Sequence, residues 1–264
     1  EAYKALQSKR GIIICIPGIY QDESLWQSGS PKPIAELLTG QGYFPVYLRI
    51  HQGDRISVIS QTINDMIESL LSLLPNVPVH FLSFSQGGLI LRSVLHLNQK
   101  QQGSIRARTQ KVIIVSSPDG GFFIEKTGLL FGLGLGEASS RAVKLMSFIG
   151  NIHSPAFRDM SLGIIRQEDE KKTGAILSTV TDHYFGELDN LDAYQIYSLI
   201  SDSNHIWSHW LGDGLVEESS LAALSDQYRK SGDDRSHCLF GLSHFQILQS
   251  DEFQKILQQI TEKP

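Results

Sequence analysis

The sequence predicts an α/β architecture: a mostly parallel central sheet with helices on both faces. Short apolar runs of strand length recur at Gly11, Tyr43, Val77 and Lys111, and strands buried on both faces read as continuous apolar runs. Between them lie longer segments with apolar residues at helical spacing, and strands alternating with helices at this interval make a parallel sheet. Large α/β folds often exceed 200 residues as one unit, so the 264 residues, 41% of them hydrophobic, are read as a single domain, 1–264.

Gly11 to Gly18 is a buried strand emptying into a Pro-Gly loop, followed by a short helix over 32–40 and a second strand from Tyr43 to Ile50. Residues 57–74 form a helix that ends before Pro75. Val77 to Phe84 is the third strand, Gln86 to Leu97 a helix with a Leu/Ile/Val stripe, and Lys111 to Ser116 the fourth strand. From Gly120 to about Leu191 the alternation lapses into Gly-rich, irregular sequence with helical pieces near 141–149, read as an insertion over the carboxyl edge of the sheet. It resumes with strands at Ala193 to Ile200 and His237 to Leu242, then a final helix over about 250–262. No internal repeat is present.

Composition removes several function classes. A formal charge of -5 and scattered Lys and Arg give no support for nucleic-acid binding. No apolar stretch reaches the 18 residues of a membrane-spanning helix. The segment starting Glu1-Ala2-Tyr3-Lys4 lacks the basic-then-apolar run of a signal peptide, and the compartment stays open.

The most informative stretch is Val79 to Arg92, where a buried strand runs into Ser83-Phe84-Ser85-Gln86-Gly87-Gly88 and a helix starts at once. A sharp strand-to-helix turn exposes a serine hydroxyl above a sheet and needs small residues two before and two after it. The helix N-terminus beneath favours developing negative charge. Ser85 is therefore the predicted nucleophile; the plain alternative is a Ser/Gly turn that only links strand to helix.

A serine hydroxyl needs a base, and the base needs a carboxylate to hold its tautomer. On strand-turn-helix nucleophiles the chain order is Ser, acid, His. Of nine histidines, His244 follows the last apolar strand and precedes the terminal helix, the place for the base. His80 lies inside a strand and reads as structural. His205 and His209 are spaced as a metal pair on a helix, but no third ligand is evident; neither metal nor cofactor is predicted. For the acid, Asp213 is preferred because Gly212 and Gly214 permit a tight turn, and Asp202 is its rival. Backbone N–H groups of Gln86, just after the nucleophile, and of Ile19, in the Pro17-Gly18-Ile19 loop, are the predicted oxyanion donors.

These residues resemble lipase-like α/β hydrolases: bacterial triacylglycerol lipases and esterases, with palmitoyl-protein thioesterases as cousins. Six marks carry the resemblance in the family's order: Ile16 to Ile19, Phe84 to Gly88, Ser117 to Gly121, Ser154 to Met160, Gly212 to Val216 and Ser243 to Phe245. The chain departs from the family at three points. Pro17-Gly18 stands for His-Gly, Ser83 for the first Gly of the elbow, and Asp119 for a His. The resemblance implies the α/β-hydrolase fold, with residues 120–191 as a lid or cap. It also implies a carboxyl-ester hydrolase working through Ser85, His244 and Asp213 and an acyl-enzyme.

The apolar, Gly-rich text at Gly120 to Phe123 and Gly128 to Gly136 suits a lid or acyl-pocket wall, hence lipid-like acyl esters and transient contact with a lipid surface. An acyl-protein or acyl-CoA thioesterase is the alternative within the enzyme class. From another class, the alternative is a silent scaffold that binds a lipid or a protein. In the family's usual strand order Cys15 and Cys238 stand about four strand spacings apart, on the order of 19 Å. A disulfide needs Cα atoms within about 7 Å, so two free thiols are expected.

Overall fold

The computed structural model describes residues 10–121, 154–171, 184–201 and 210–263. Six strands form one sheet: β1 (Gly11–Ile16), β2 (Tyr43–Tyr47), β3 (Val79–Phe84), β4 (Thr109–Val115), β5 (Asp192–Leu199) and β6 (Ser236–Phe240). Their order is β2-β1-β3-β4-β5-β6, and every neighbouring pair is parallel. The helices are α1 (Ile34–Gly40), α2 (Ile56–Leu73), α3 (Gln86–Gln101), α4 (Ser104–Arg108), α5 (Pro155–Leu162), α6 (Glu218–Leu221), α7 (Ser225–Arg229) and α8 (Asp251–Glu262).

Alternation along the central strands builds two cores. Ile12, Ile14, Ile16, Phe81 and Val112 face α2 and α3, which bury Ile59, Ile63, Ile67, Leu91 and Val94 against them. Ile13, Cys15, Leu82, Phe84 and Ile113 face the other side, where α1 and α8 supply Leu37, Leu38, Phe253 and Leu257. Both faces of β1 and β3 are thus fully buried, which is why their sequences are unbroken apolar runs. The expected α/β class, with helices on both faces, is what the chain forms.

Within the expected 120–191 insertion, the described parts pack into the core. Phe157, Met160, Ile165 and Leu188 are buried in the cluster beneath α2 and α3. The Gly128 to Gly136 stretch and the helical pieces near 141–149 lie outside the described residues. Cys15 is buried and Cys238 half-buried, and both are free, because the strand order puts β1 and β6 four positions apart. No helix among the described residues is long and apolar enough to cross a membrane.

Candidate active site

β3 ends at Phe84, and Ser85 takes a left-handed backbone with φ 55 and ψ -125 before α3 begins at Gln86. Such a conformation is costly for a non-glycine residue and persists only where its surroundings impose it. They do so here: Ser85 N–H donates to Val115 C=O at 2.8 Å, and Gly88 N–H donates to Ser85 C=O at 2.9 Å. A Cβ at Gly87 would lie 2.4 Å from Ile16 O, and one at Gly88 would lie 2.5 Å from Ser117 Cβ, so both positions need glycine. Ser83, two residues before the turn, is accommodated: it is fully buried and its hydroxyl donates to Ile113 C=O at 3.4 Å.

His244 lies past β6, in the loop that leads to α8, and is buried. Its Nε2 lies 3.0 Å from Ser85 Oγ, and its Nδ1 lies 2.5 Å from Asp213 Oδ2. A carboxylate only accepts, so Nδ1 carries the proton and the lone pair of Nε2 faces the Ser85 hydroxyl. Phe84 and Phe245 flank the imidazole at centroid distances of 5.0 and 5.2 Å. The other oxygen of Asp213, Oδ1, accepts the N–H groups of Leu215 and Val216 at 3.0 and 2.9 Å. Both flanking glycines have positive φ, and a Cβ on Gly212 would overlap Val216 O at 1.8 Å. A main-chain bond from His244 N–H to Asp213 C=O, 2.8 Å, joins the two loops. The structure therefore brings Ser85, His244 and Asp213 into one hydrogen-bonded chain. The rival acid Asp202, with His205 and His209, lies outside the described residues.

The loop after β1 packs directly against the nucleophile, since a Cβ on Gly18 would lie 2.9 Å from Ser85 Cβ. Gly18 C=O accepts Gln21 N–H at 3.2 Å, closing a turn in which Tyr20 has φ 58. A positive φ at that position is the mark of a type II turn, usually met by glycine. Among the described residues, neither the Ile19 nor the Gln86 N–H has a hydrogen-bond acceptor. A cavity of about 460 Å³ opens beside this loop, lined by Tyr20, His51, Gln52, Gly53, Asp54 and Ser154.

Two buried ionic clusters brace the surroundings. Arg92 on α3 is fully buried, donating from Nε to Glu187 at 2.6 Å and from Nη1 to Asp119 at 2.9 Å. Ser117 Oγ also donates to Asp119, and Phe185 N–H donates to Glu187. Burial pushes the Asp119 carboxyl above its usual range, while Arg92 is held protonated by its two carboxylates against the same burial. Asp119 thus serves a structural ion pair with the nucleophile helix. Asp159 caps α2 through Ile56 N–H at 3.0 Å and pairs with Arg55 at 2.8 Å; burial lifts its carboxyl to about 6. Sequence reasoning did not assign Arg92, Glu187 or Arg55, because their partners are distant in the chain. No group of three or more His, Cys, Asp or Glu that could hold a metal occurs among the described residues.

No family model and no curated protein matches the sequence. Solved structures do resemble it. The mature Bacillus licheniformis lipase BlEst2 superposes with a TM-score of 0.61 at 15% identity, covering 96% of this chain and 92% of that one. A Pyrococcus furiosus esterase gives 0.55 at 12% identity, with 96% and 81% covered. A thioesterase of the prodiginine biosynthetic pathway in Streptomyces coelicolor gives 0.52 at 10% identity, with 98% and 87% covered.

Proposed function

We propose, on the premise that this chain has the α/β-hydrolase fold, that it is a serine carboxyl-ester hydrolase of the lipase and esterase kind, with Ser85 as nucleophile. His244 takes the Ser85 proton as the hydroxyl attacks the acyl carbonyl, and Asp213 stabilises the imidazolium. The N–H groups of Gln86 and Ile19 stabilise the oxyanion, assisted by the N-terminus of α3. His244 returns its proton to the leaving group, then activates water to release the acid from the acyl-enzyme. No metal or cofactor has a step in this sequence.

The observation that supports the reading most is the chain of contacts from Asp213 Oδ2 through His244 to Ser85 Oγ, at 2.5 and 3.0 Å. It joins residues 159 and 31 positions apart, and it is aimed at a serine held in a strained turn. Lipid-like acyl esters are the proposed substrates, with transient contact at a lipid surface. Phe245, 45% exposed beside His244, and the partly exposed Ile200 beside Gly214 offer apolar surface near the triad.

Intact-mass analysis after fluorophosphonate treatment tests the reading. Wild type gains one adduct and Ser85→Ala gains none. A p-nitrophenyl ester series, with thioesters of matched chain length, then defines the acyl group and separates ester from thioester preference. Folded wild-type protein that takes up no adduct, even in detergent, sinks the enzyme reading in favour of a silent binding scaffold.

A further inference from the structure

Gln52 lies in the loop between β2 and α2, on a segment with no part in the Ser-His-Asp chain. Its side-chain amide reaches across to the loop after β1, where Nε2 donates to Gly18 C=O at 2.7 Å and to Gln21 C=O at 2.8 Å. An NH2 group has two hydrogens, and here each meets one end of the Gly18–Gln21 turn. Gln21 holds the same turn from within: its Oε1 accepts Gly18 N–H at 3.2 Å. Both peptide planes that meet at Gly18 are therefore clamped. The backbone carbonyl of Gln52 also accepts Gln86 Nε2 at 3.3 Å.

The geometry points to Gln52 as the positioning residue of the oxyanion site, and this rests on the ester-hydrolase reading above. In a trans peptide the C=O and the following N–H lie in one plane and point in opposite directions. Gly18 C=O and Ile19 N–H share one such plane. By holding the Gly18 oxygen, Gln52 directs the Ile19 N–H away from itself. Without that hold, only the 3.2 Å bond from the Gln21 N–H restrains the plane, and glycine at position 18 offers little resistance to its rotation. Gln52 also bonds to the side chain of Gln86, whose N–H is the second donor. One half-buried residue thereby connects the two backbone segments that stabilise the oxyanion. The strained Tyr20, at φ 58 inside the clamped turn, raises the need for such a brace. Gln52 acts only through Gly18 and Gln86 and touches no reacting atom in this role.

Gln52→Met keeps the length of the side chain and removes its donors; Gln52→Glu places a carboxylate against two carbonyl oxygens. The test measures kcat and KM on a short p-nitrophenyl ester, together with the affinity of a phenylboronic acid, whose tetrahedral adduct with the nucleophile carries the oxyanion. In Gln52→Met, kcat should fall on the order of 10- to 100-fold with KM within about threefold, since misplaced donors act on the transition state. Boronate affinity should fall by a similar factor to kcat/KM, and Gln52→Glu should be at least as impaired. A merely structural role would lower the unfolding midpoint and the active fraction, leaving kcat per fluorophosphonate-titrated site and the boronate affinity at their wild-type values. Wild-type kcat in Gln52→Met overturns the proposal and leaves the ester-hydrolase reading standing. Wild-type protein that turns over no ester and takes up no fluorophosphonate overturns both.

Discussion

Asp213 and His244 are joined twice, by side chain at 2.5 Å and by main chain at 2.8 Å. The second bond runs from the His244 N–H to the Asp213 carbonyl and does not depend on either side chain. The main chain thus ties the two loops together, while Asp213 divides its carboxylate, Oδ2 serving the imidazole and Oδ1 holding its own turn.

Asp213→Asn exploits that separation. The Leu215 and Val216 N–H groups demand an acceptor, so the Asn oxygen faces them and its NH2 group faces His244 Nδ1. The imidazole then carries its proton on Nε2 and cannot accept one from Ser85. Turnover should drop by about 10⁴-fold, with a thermal unfolding midpoint within a few degrees of wild type. Near-normal kcat would move the acid role to Asp202.

Gly87→Ala should unsettle the nucleophile turn through sterics alone. Its Cβ would meet the main-chain oxygens of Ile16 and Pro17 at 2.4 and 2.7 Å, neither of which is a flexible side-chain end. The expected cost is about 1–3 kcal/mol, read from the urea midpoint, with a loss of activity as the β1 loop is pushed from Ser85. Unchanged stability and rate would mean the turn is looser than described.

Arg92→Met leaves two buried carboxylates facing each other without their cation. Breaking a buried pair in this way costs about 3–5 kcal/mol. Asp119→Asn should cost far less, because an amide oxygen still accepts from Arg92 and Ser117 and Arg92 keeps Glu187 as its counter-charge. Equilibrium denaturation of both variants checks the order, and the reverse order refutes the account of the cluster.

Stability should fall in acid partly through His80. It is buried in β3 against Tyr43, and burial lowers its pKa from 6.5 to about 4. Below about 6.5 the unfolded chain takes up a proton at this site that the folded chain refuses until about 4. The stabilisation is therefore complete above pH 6.5 and disappears as the pH falls towards 4. Relative to His80→Phe, wild type should lose on the order of 3 kcal/mol across that interval. Parallel stability curves for the two proteins would exclude the effect.

Much of this molecule was legible because its signals are local. β1, β3 and β4 are apolar runs long enough to be strands and are buried on both faces, and the pattern located them to within two residues. Ser85, Asp213 and His244 each carry a neighbourhood that the chemistry requires: small residues around the serine, glycines around the acid, a late strand before the histidine. Other features had no local signal. α4 is five residues long and is held at its start by Glu68 from α2, which accepts the N–H groups of Ser104 and Ile105. α3 was expected to stop at Leu97, where its apolar stripe ends, but runs on to Gln101 through a polar turn closed by Gln102 in the left-handed region. β2 was expected to reach Ile50 and stops at Tyr47, as an edge strand with one neighbour. α5 does carry a local sign: Ser154 caps it through Phe157 N–H, with Pro155 in its first turn. Gln52 has none, since a glutamine in a loop looks like any solvated side chain until the turn it grips is in view.

The main-chain bond between the two loops also bears on how such a protein changes over time. His244 can be exchanged for another residue, and Asp213 for one that still accepts the Leu215 and Val216 N–H groups, while the carbonyl and amide stay paired, so the chemistry can be removed and the shape kept. The same property makes the loop pair a ready mount for redesign: new side chains at positions 213 and 244 inherit a fixed spacing that they need not create for themselves.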